Sequence, residues 1–254
     1  MIQLRIYQQM NLDSINHFAE LSKVAYLDGK EAKNAYKELG YNSHVLIDID
    51  GAQCHIVRKT KENITILCFR GTEPDEISDI LADLKAFPRR SMMHKGLVHR
   101  GFRGELDKIW DKIQTTLNSS PKRKGRLYIC GHSLGGAMAT LATSRLQHKV
   151  WALYTFGSPR VGTRKFVKCI YTKHFRVVNN NDIVTRVPPR LMFYRHHGQL
   201  VYINHYGNIR KMTPWQRIKD RFRGYRDGLL DPVMDHSIDN YINHTKTEGS
   251  NVRI

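Results

Sequence analysis

The chain has 254 residues, 41% of them hydrophobic, and its 41 Lys and Arg against 23 Asp and Glu give a formal net charge of +18. A chain of this size buries roughly 70–75% of the surface its unfolded form exposes, so one core suffices without a disulfide framework or a metal. Its supply of aromatic and branched residues excludes disorder and collagen-like repetition, and no run approaches the roughly 18 consecutive apolar residues of a membrane span.

The first thirty residues hold no apolar stretch of signal-peptide length, so Sec-type export is not expected and a cytoplasmic location is. Leu12, Ile15, Phe18, Ala19 and Ser22 recur at three- and four-residue spacing, which predicts an amphipathic helix with Asn11 or Asp13 near its start. A second helix, roughly Lys30 to Leu39, ends at Gly40. The period then changes. Val45 to Asp50, Gln53 to Lys59 and Ile64 to Arg70 are short runs rich in β-formers, the first two joined as a hairpin across Asp50 and Gly51. From Leu106 to Leu117 the spacing is helical again. The apolar run Leu127 to Cys130, a helix from Ala137 to Gln147, and the apolar runs Val150 to Phe156 and Phe175 to Val178 follow. Strands that are apolar on both faces belong in a parallel sheet covered on both sides. The chain therefore reads as one α/β domain over 1–254 with a mostly parallel central sheet and helices on both faces. Cys54, Cys68, Cys130 and Cys169 show no C-x-x-C spacing and lie in apolar surroundings, as buried free thiols do.

Chemistry enters at Gly131-His-Ser133-Leu-Gly135. Gly-x-Ser-x-Gly alone arises by chance roughly 0.1 times in a chain this long. Here an apolar strand precedes it and a small-residue helix follows, the context of a nucleophile elbow. Such an elbow holds Ser in a strained turn and needs glycines where backbones approach closely. The following helix aims its positive N-terminal end and free N–H groups at the site. A serine so placed needs a base and an orienting acid. Among 13 histidines, His236, His205 and His244 are candidate bases, with His132 disfavoured beside the serine, and Asp182, Asp231 and Asp235 are candidate acids.

Gly131-His-Ser-Leu-Gly-Gly-Ala137 resembles the nucleophile motif of class 3 (fungal-type) lipases within the α/β-hydrolase superfamily. Other segments agree in order: Cys68-Phe-Arg-Gly-Thr72 with the oxyanion segment, Val98-His-Arg-Gly-Phe102 with the motif before the elbow, Thr155-Phe-Gly-Ser-Pro-Arg160 with the strand after it, Val178-Asn-Asn-Asn-Asp182 with the acid loop, and Asp235-His-Ser237 with Tyr241 with the terminal histidine motif. The resemblance implies an α/β-hydrolase fold and a Ser133, His236, Asp182 triad. Ser133 attacks an ester carbonyl, His236 takes its proton and returns it to the leaving alcohol, and Asp182 fixes the imidazole. The oxyanion donors are then the backbone N–H groups of Thr72 and Leu134. The segment from Glu73 to Gly96 stands where the family carries its lid, with Ile77, Ile80, Leu81, Leu84, Phe87, Met92 and Met93 apolar among charges. No metal or cofactor is implied.

Ten Lys or Arg against one acid, Asp220, lie between Arg186 and Arg226, so half of the excess charge sits in 41 residues. Thr213-Pro214 starts a helix on which Trp215, Ile218, Phe222 and Tyr225 share a face among Arg217, Lys219, Arg221, Arg223 and Arg226. Such a helix either meets an anionic membrane surface or covers the core with its aromatic face. Nucleic acid is not expected, since beyond the pI near 9.9 there is no zinc spacing, RNP-like strand or phosphate loop, and the cluster Lys122-Arg-Lys124 is short. The expectation is a serine ester hydrolase acting on lipid-like carboxylic esters. The alternatives are A1-type cleavage of anionic phospholipids and a non-catalytic lipase-like binding protein.

Overall fold

The computed structural model describes residues 14–73, 88–90, 96–119, 125–226 and 234–246. Asn11, Asp13, Lys122 to Lys124, Asp231 and all of the lid-like segment except Glu73, the strand Pro88–Arg90 and Gly96 lie outside the described residues.

Helix α1 covers residues 14–24 and α2 covers Gly29–Glu38. Strands β1 (Ser43–Ile49), β2 (Ala52–Lys59) and β3 (Ile64–Phe69) follow as an antiparallel meander. The β1–β2 hairpin turns on Asp50 and Gly51, with φ of 50° and 79°. Positive φ at both central residues matches the right-handed twist of the strands, and Asp-Gly supplies it at low steric cost. After β4 (Pro88–Arg90) and β5 (Leu97–His99) come α3 (Arg100–Asn118), β6 (Arg126–His132), α4 (Leu134–Leu146), β7 (Val150–Phe156), β8 (Gly162–Thr163), β9 (Lys173–Asn179), β10 (Tyr194–Arg195) and β11 (Gln199–Ile203). The described residues end with α5 (Pro214–Arg226) and α6 (Ile238–Thr245).

The main sheet has the order β1-β2-β3-β6-β7-β9-β11, with parallel pairing from β3 onward. Strand β11 extends the parallel half beyond the last strand predicted from sequence. Its side chains are only partly covered at its start, so it lacks the apolar run that marked β6 and β7. The short strands β10, β8, β5 and β4 form a second sheet that no sequence pattern announced, because two- and three-residue strands carry no period.

Alternation along the central strands builds a core on each face. Leu67, Phe69, Ile129 and Leu153 meet Phe102, Leu106 and Ile109 of α3 and Ala137, Met138 and Leu141 of α4. Ile66, Cys68, Cys130 and Phe156 meet Ile15, Phe18 and Ala19 of α1 and Tyr241 and Ile242 of α6. At roughly 25 cal/mol per Å² of apolar surface removed from water, these layers supply most of the drive for folding. No disulfide joins the four cysteines among the described residues; Cys54, Cys68 and Cys130 are buried and Cys169 half-buried.

Helix α5 departs from the core-covering alternative. Trp215 is 64% exposed and Phe222 70%, with Ile218 also open, while the acid Asp220 is the residue turned inward. The aromatic face of this basic helix is on the outside.

Candidate active site

Strand β6 ends at His132, and the chain reverses into α4 through Ser133, whose φ of 55° and ψ of −127° lie where non-glycine residues rarely go. Such a conformation costs on the order of 1–3 kcal/mol and persists only where the surroundings enforce it. Here the Ser133 N–H donates to the Phe156 carbonyl at 3.0 Å, and its own carbonyl accepts from Gly136 N at 3.0 Å. Both glycines of the motif are places where nothing larger fits. A Cβ on Gly131 would stand 2.5 Å from the Gly135 carbonyl, and one on Gly135 would stand 2.2 Å from the Phe69 carbonyl. The elbow is therefore pressed against the end of β3, and Arg70, Gly71 and Thr72 continue from that contact. Gly136 and Ala137 already bond the Ser133 carbonyl, so the N–H groups of Leu134 and Gly135 lead the helix ahead of its own ladder.

Asp182 follows β9 and is fully buried, as is His236, which lies 54 residues later. The Nδ1 of His236 is 2.9 Å from Asp182 Oδ2. The carboxylate accepts two further bonds, from the Tyr241 hydroxyl at 2.5 Å to Oδ2 and from the Val184 N–H at 2.9 Å to Oδ1. Tyr241 in turn accepts from the Asn179 N–H, and burial beside Asp182 pushes its phenol far above the ordinary range, so it serves as a donor. Gly157, just after β7, leaves room for the pair. A Cβ there would fall 2.7 Å from His236 Cε1 and 2.8 Å from Asp182 Oδ2. Since Ser133 is bonded to Phe156, the end of β7 is the common neighbour of serine, histidine and aspartate.

The remaining reactive atoms are the two left without partners. Ser133 Oγ and His236 Nε2 are buried, and neither makes a hydrogen bond among the described residues. Catalytic bonds in unliganded enzymes often close only when substrate is present.

His132, disfavoured as a base beside the serine, has a different task in the structure. Its Nε2 is 2.7 Å from the His236 carbonyl and its Nδ1 is 2.8 Å from the Tyr26 hydroxyl. An imidazole between a carbonyl and a phenol carries its proton on Nε2 and accepts on Nδ1. Burial, and then the neighbouring His236, hold its pKa well below the usual histidine range, which keeps that tautomer in place. Tyr26 also presses against Gly71, where a Cβ would stand 2.1 Å from the phenol oxygen. One tyrosine of the α1–α2 turn thus joins the backbone before Thr72 to the loop carrying His236. The sequence places Tyr241 in the terminal histidine motif without telling what it bonds, and it does not single out Tyr26 for a role at the site.

Of the competing candidates, Asp231 lies outside the described residues and the others have contacts elsewhere. Asp235 accepts from the Asn181 N–H at 3.0 Å through Oδ2 and so ties the histidine segment to the acid loop. Its carboxyl is raised by burial. The backbone N–H of His205 bonds Asp220, and His244 packs against Gly207.

Residues 66–192, half of the chain, match the family model described as Lipase (class 3). The chain belongs to the class 3 lipase family. Among curated relatives of this class 3 lipase chain, Lipase ZK262.3 of Caenorhabditis elegans is 32% identical over 142 residues, covering 52% of this chain and 40% of the relative. The lipase of Rhizopus oryzae is 30% identical over 170 residues, covering 61% and 41%. The chain thus spans about two fifths of the length of these relatives. Among solved structures, the Rhizomucor miehei triacylglyceride lipase superimposes with a TM-score of 0.65 at 23% identity, covering 76% of this chain and 80% of that one. The α/β-hydrolase fold expected from the motifs is therefore the fold observed.

Proposed function

We propose that the chain is a serine hydrolase of lipid carboxylic esters, with Ser133 as nucleophile, His236 as general base and then acid, and Asp182 as the residue that orients the imidazole. The buried Asp182–His236 hydrogen bond, packed on the same end of β7 as the serine on its strained elbow, is the observation that carries this reading. With Nδ1–H committed to Asp182, Nε2 is the free basic atom, and it takes the Ser133 proton as Oγ attacks the carbonyl carbon. The tetrahedral oxyanion is met by the N–H of Leu134, at the start of α4, and by the N–H of Thr72, which follows the backbone packed on the elbow; each such donor is worth roughly 10²–10³ in rate. Collapse expels the alcohol, protonated by His236, and water repeats the cycle on the acyl-enzyme. A binding protein without catalysis has no need of a fully bonded Asp–His pair, which argues against that alternative.

The exposed Trp215, Ile218 and Phe222 on a helix rich in Lys and Arg support contact with an anionic lipid surface, because aromatic rings partition into the headgroup region while each basic side chain adds about 1 kcal/mol there. Initial rates on nitrophenyl esters of increasing acyl length test the first part; a rate that rises toward medium or long chains is expected, and no turnover at any length contradicts it. Cleavage in vesicles tests the second. Adding phosphatidylserine to phosphatidylcholine vesicles is expected to raise the rate in low salt and to lose that advantage in high salt; equal rates on both vesicles would set the anionic-surface reading aside.

A further inference from the structure

Strands β9 and β11, the loop between them and the start of α5 line an open cleft of about 650 Å³. Six cationic side chains line it: Arg176, Arg190, Arg195, Arg210, Lys211 and Arg217. His196, Tyr202 and Thr213 complete its polar wall, and no carboxylate lines it among the described residues. None of the ion pairs formed among the described residues uses any of the six cations. Asp220, the acid nearest in sequence, is buried, accepts from the His205 N–H and lies within hydrogen-bond distance of the Tyr202 hydroxyl.

Arg176 sits deepest in this arrangement. Its Nε is buried without a hydrogen-bond partner. Burial, reinforced by Arg160 and Arg217, pushes the guanidinium down to about 10, so the fold holds this cation at a cost. Arg195 donates to the backbone carbonyls of Arg190 and Tyr194, which fixes its position but neutralises nothing. At the mouth, α5 begins with a reciprocal cap in which Thr213 Oγ1 accepts from the Gln216 N–H and Gln216 Oε1 from the Thr213 N–H, adding the positive end of a 13-residue helix. Guanidinium forks match phosphate oxygens two at a time, and a concave wall of one sign concentrates the opposite one. A single phosphate occupies two or three such forks; six cations and this volume suit a larger anion.

We propose that this cavity is a binding site for a multiply phosphorylated anion, either a soluble phosphate compound or the headgroup of a phosphorylated lipid. The site adjoins the loop that carries Asp182. The Tyr202 hydroxyl lies between Asn180 Oδ1 at 3.2 Å and Asp220 Oδ2 at 3.1 Å, either of which can accept its proton, and Arg186, next to the cluster, donates to Asn181 Oδ1 at 2.7 Å. Binding is read without turnover and is independent of the hydrolase reading.

Calorimetric titration with inorganic pyrophosphate at physiological ionic strength is the test, on wild type, Arg176→Gln, Arg217→Gln and the exposed control Lys149→Gln. Saturable binding of one equivalent is expected, weakened about tenfold or more by each arginine substitution, as loss of a charge-assisted bond requires, and unchanged by the control. Without anion, Arg176→Gln is expected to melt no lower than wild type, since it removes a half-buried cation that no ion pair neutralises among the described residues; this separates a binding arginine from a structural one. Sedimentation with phosphatidylcholine vesicles containing phosphatidylinositol bisphosphate, against phosphatidylserine vesicles of equal charge, distinguishes the sources. Selective capture by the bisphosphate vesicles assigns a lipid headgroup, and pyrophosphate binding without it assigns a soluble phosphate; both support the site. Absence of saturable pyrophosphate binding, or binding that both arginine substitutions leave unchanged, overturns it.

Discussion

Ser133→Ala is expected to lower kcat/KM on nitrophenyl butyrate by about 10⁴ or more while leaving the fold intact. The size follows from what the substitution removes. In the proposed mechanism the hydroxyl is the atom that forms the acyl-enzyme, and the donors that remain can stabilise only the slow attack of water. Preservation of the fold follows from two further facts. Alanine keeps the Cβ that the elbow already accommodates at φ of 55°, and the lost Oγ makes no hydrogen bond among the described residues. Deleting a buried hydroxyl without a partner leaves nothing else unsatisfied, so the melting temperature is expected to hold or rise slightly. Activity within tenfold of wild type would remove Ser133 from the mechanism.

A steep loss of stability below neutral pH is the second large effect. His55, His132, His174 and His196 are held below the ordinary histidine value of 6.5, His55 down to about 4 and the others well below their usual range, and burial is the first cause in each. Neighbouring cations or histidines add to it. His44 lies 2.9 Å from His55 and His197 lies 3.0 Å from His174, each pair sharing one proton between ring nitrogens. The sign is fixed by linkage. A histidine whose folded pKa is depressed leaves the unfolded chain binding more protons, so its contribution is intact above about 6.5 and is lost as pH falls below it. Each such group removes about 1.4 kcal/mol per pH unit until its folded pKa is reached, which for His55 amounts to about 3 kcal/mol. Asp235, raised by burial, works in the opposite direction as a single group. Against a total stability of roughly 5–15 kcal/mol, four histidines depressed in the same direction are expected to weaken the fold markedly as pH falls below about 6.5. Urea midpoints measured from pH 7.5 downward are expected to be level to about 6.5 and then to fall steeply, with a shallower fall in His55→Asn. A midpoint independent of pH over this range would show that these imidazoles are protonated without penalty.

The sequence spoke clearly where function depends on local backbone. The elbow requires glycine at 131 and 135 because β3 and α4 approach within the space of a methyl group, and that demand is written in five consecutive residues. The Asp182–His236 pair is different. Its members lie 54 residues apart, and only the order of family motifs singled them out from His205, His244 and Asp235. Tyr26 and Tyr241 were illegible as supports because each acts through a contact that exists only once α1, β6 and α6 are packed. Likewise the helical period of α5 was plain, but which way its aromatic face turns depends on its neighbours. The arginine cavity draws on two strands and a helix whose residues run from 176 to 217, so linear charge counting found the excess without finding the place.

The central claim is that His236, held by Asp182, activates Ser133, and covalent labelling tests it most directly. Incubation with a fluorophosphonate, in which Ser133 Oγ displaces fluoride from phosphorus, followed by peptide mass mapping, is expected to place a single adduct on Ser133. His236→Ala is expected to slow labelling by about 10³-fold or more, since the proton then has no acceptor. No adduct, an adduct on another residue, or equal labelling rates with and without His236 would contradict the account.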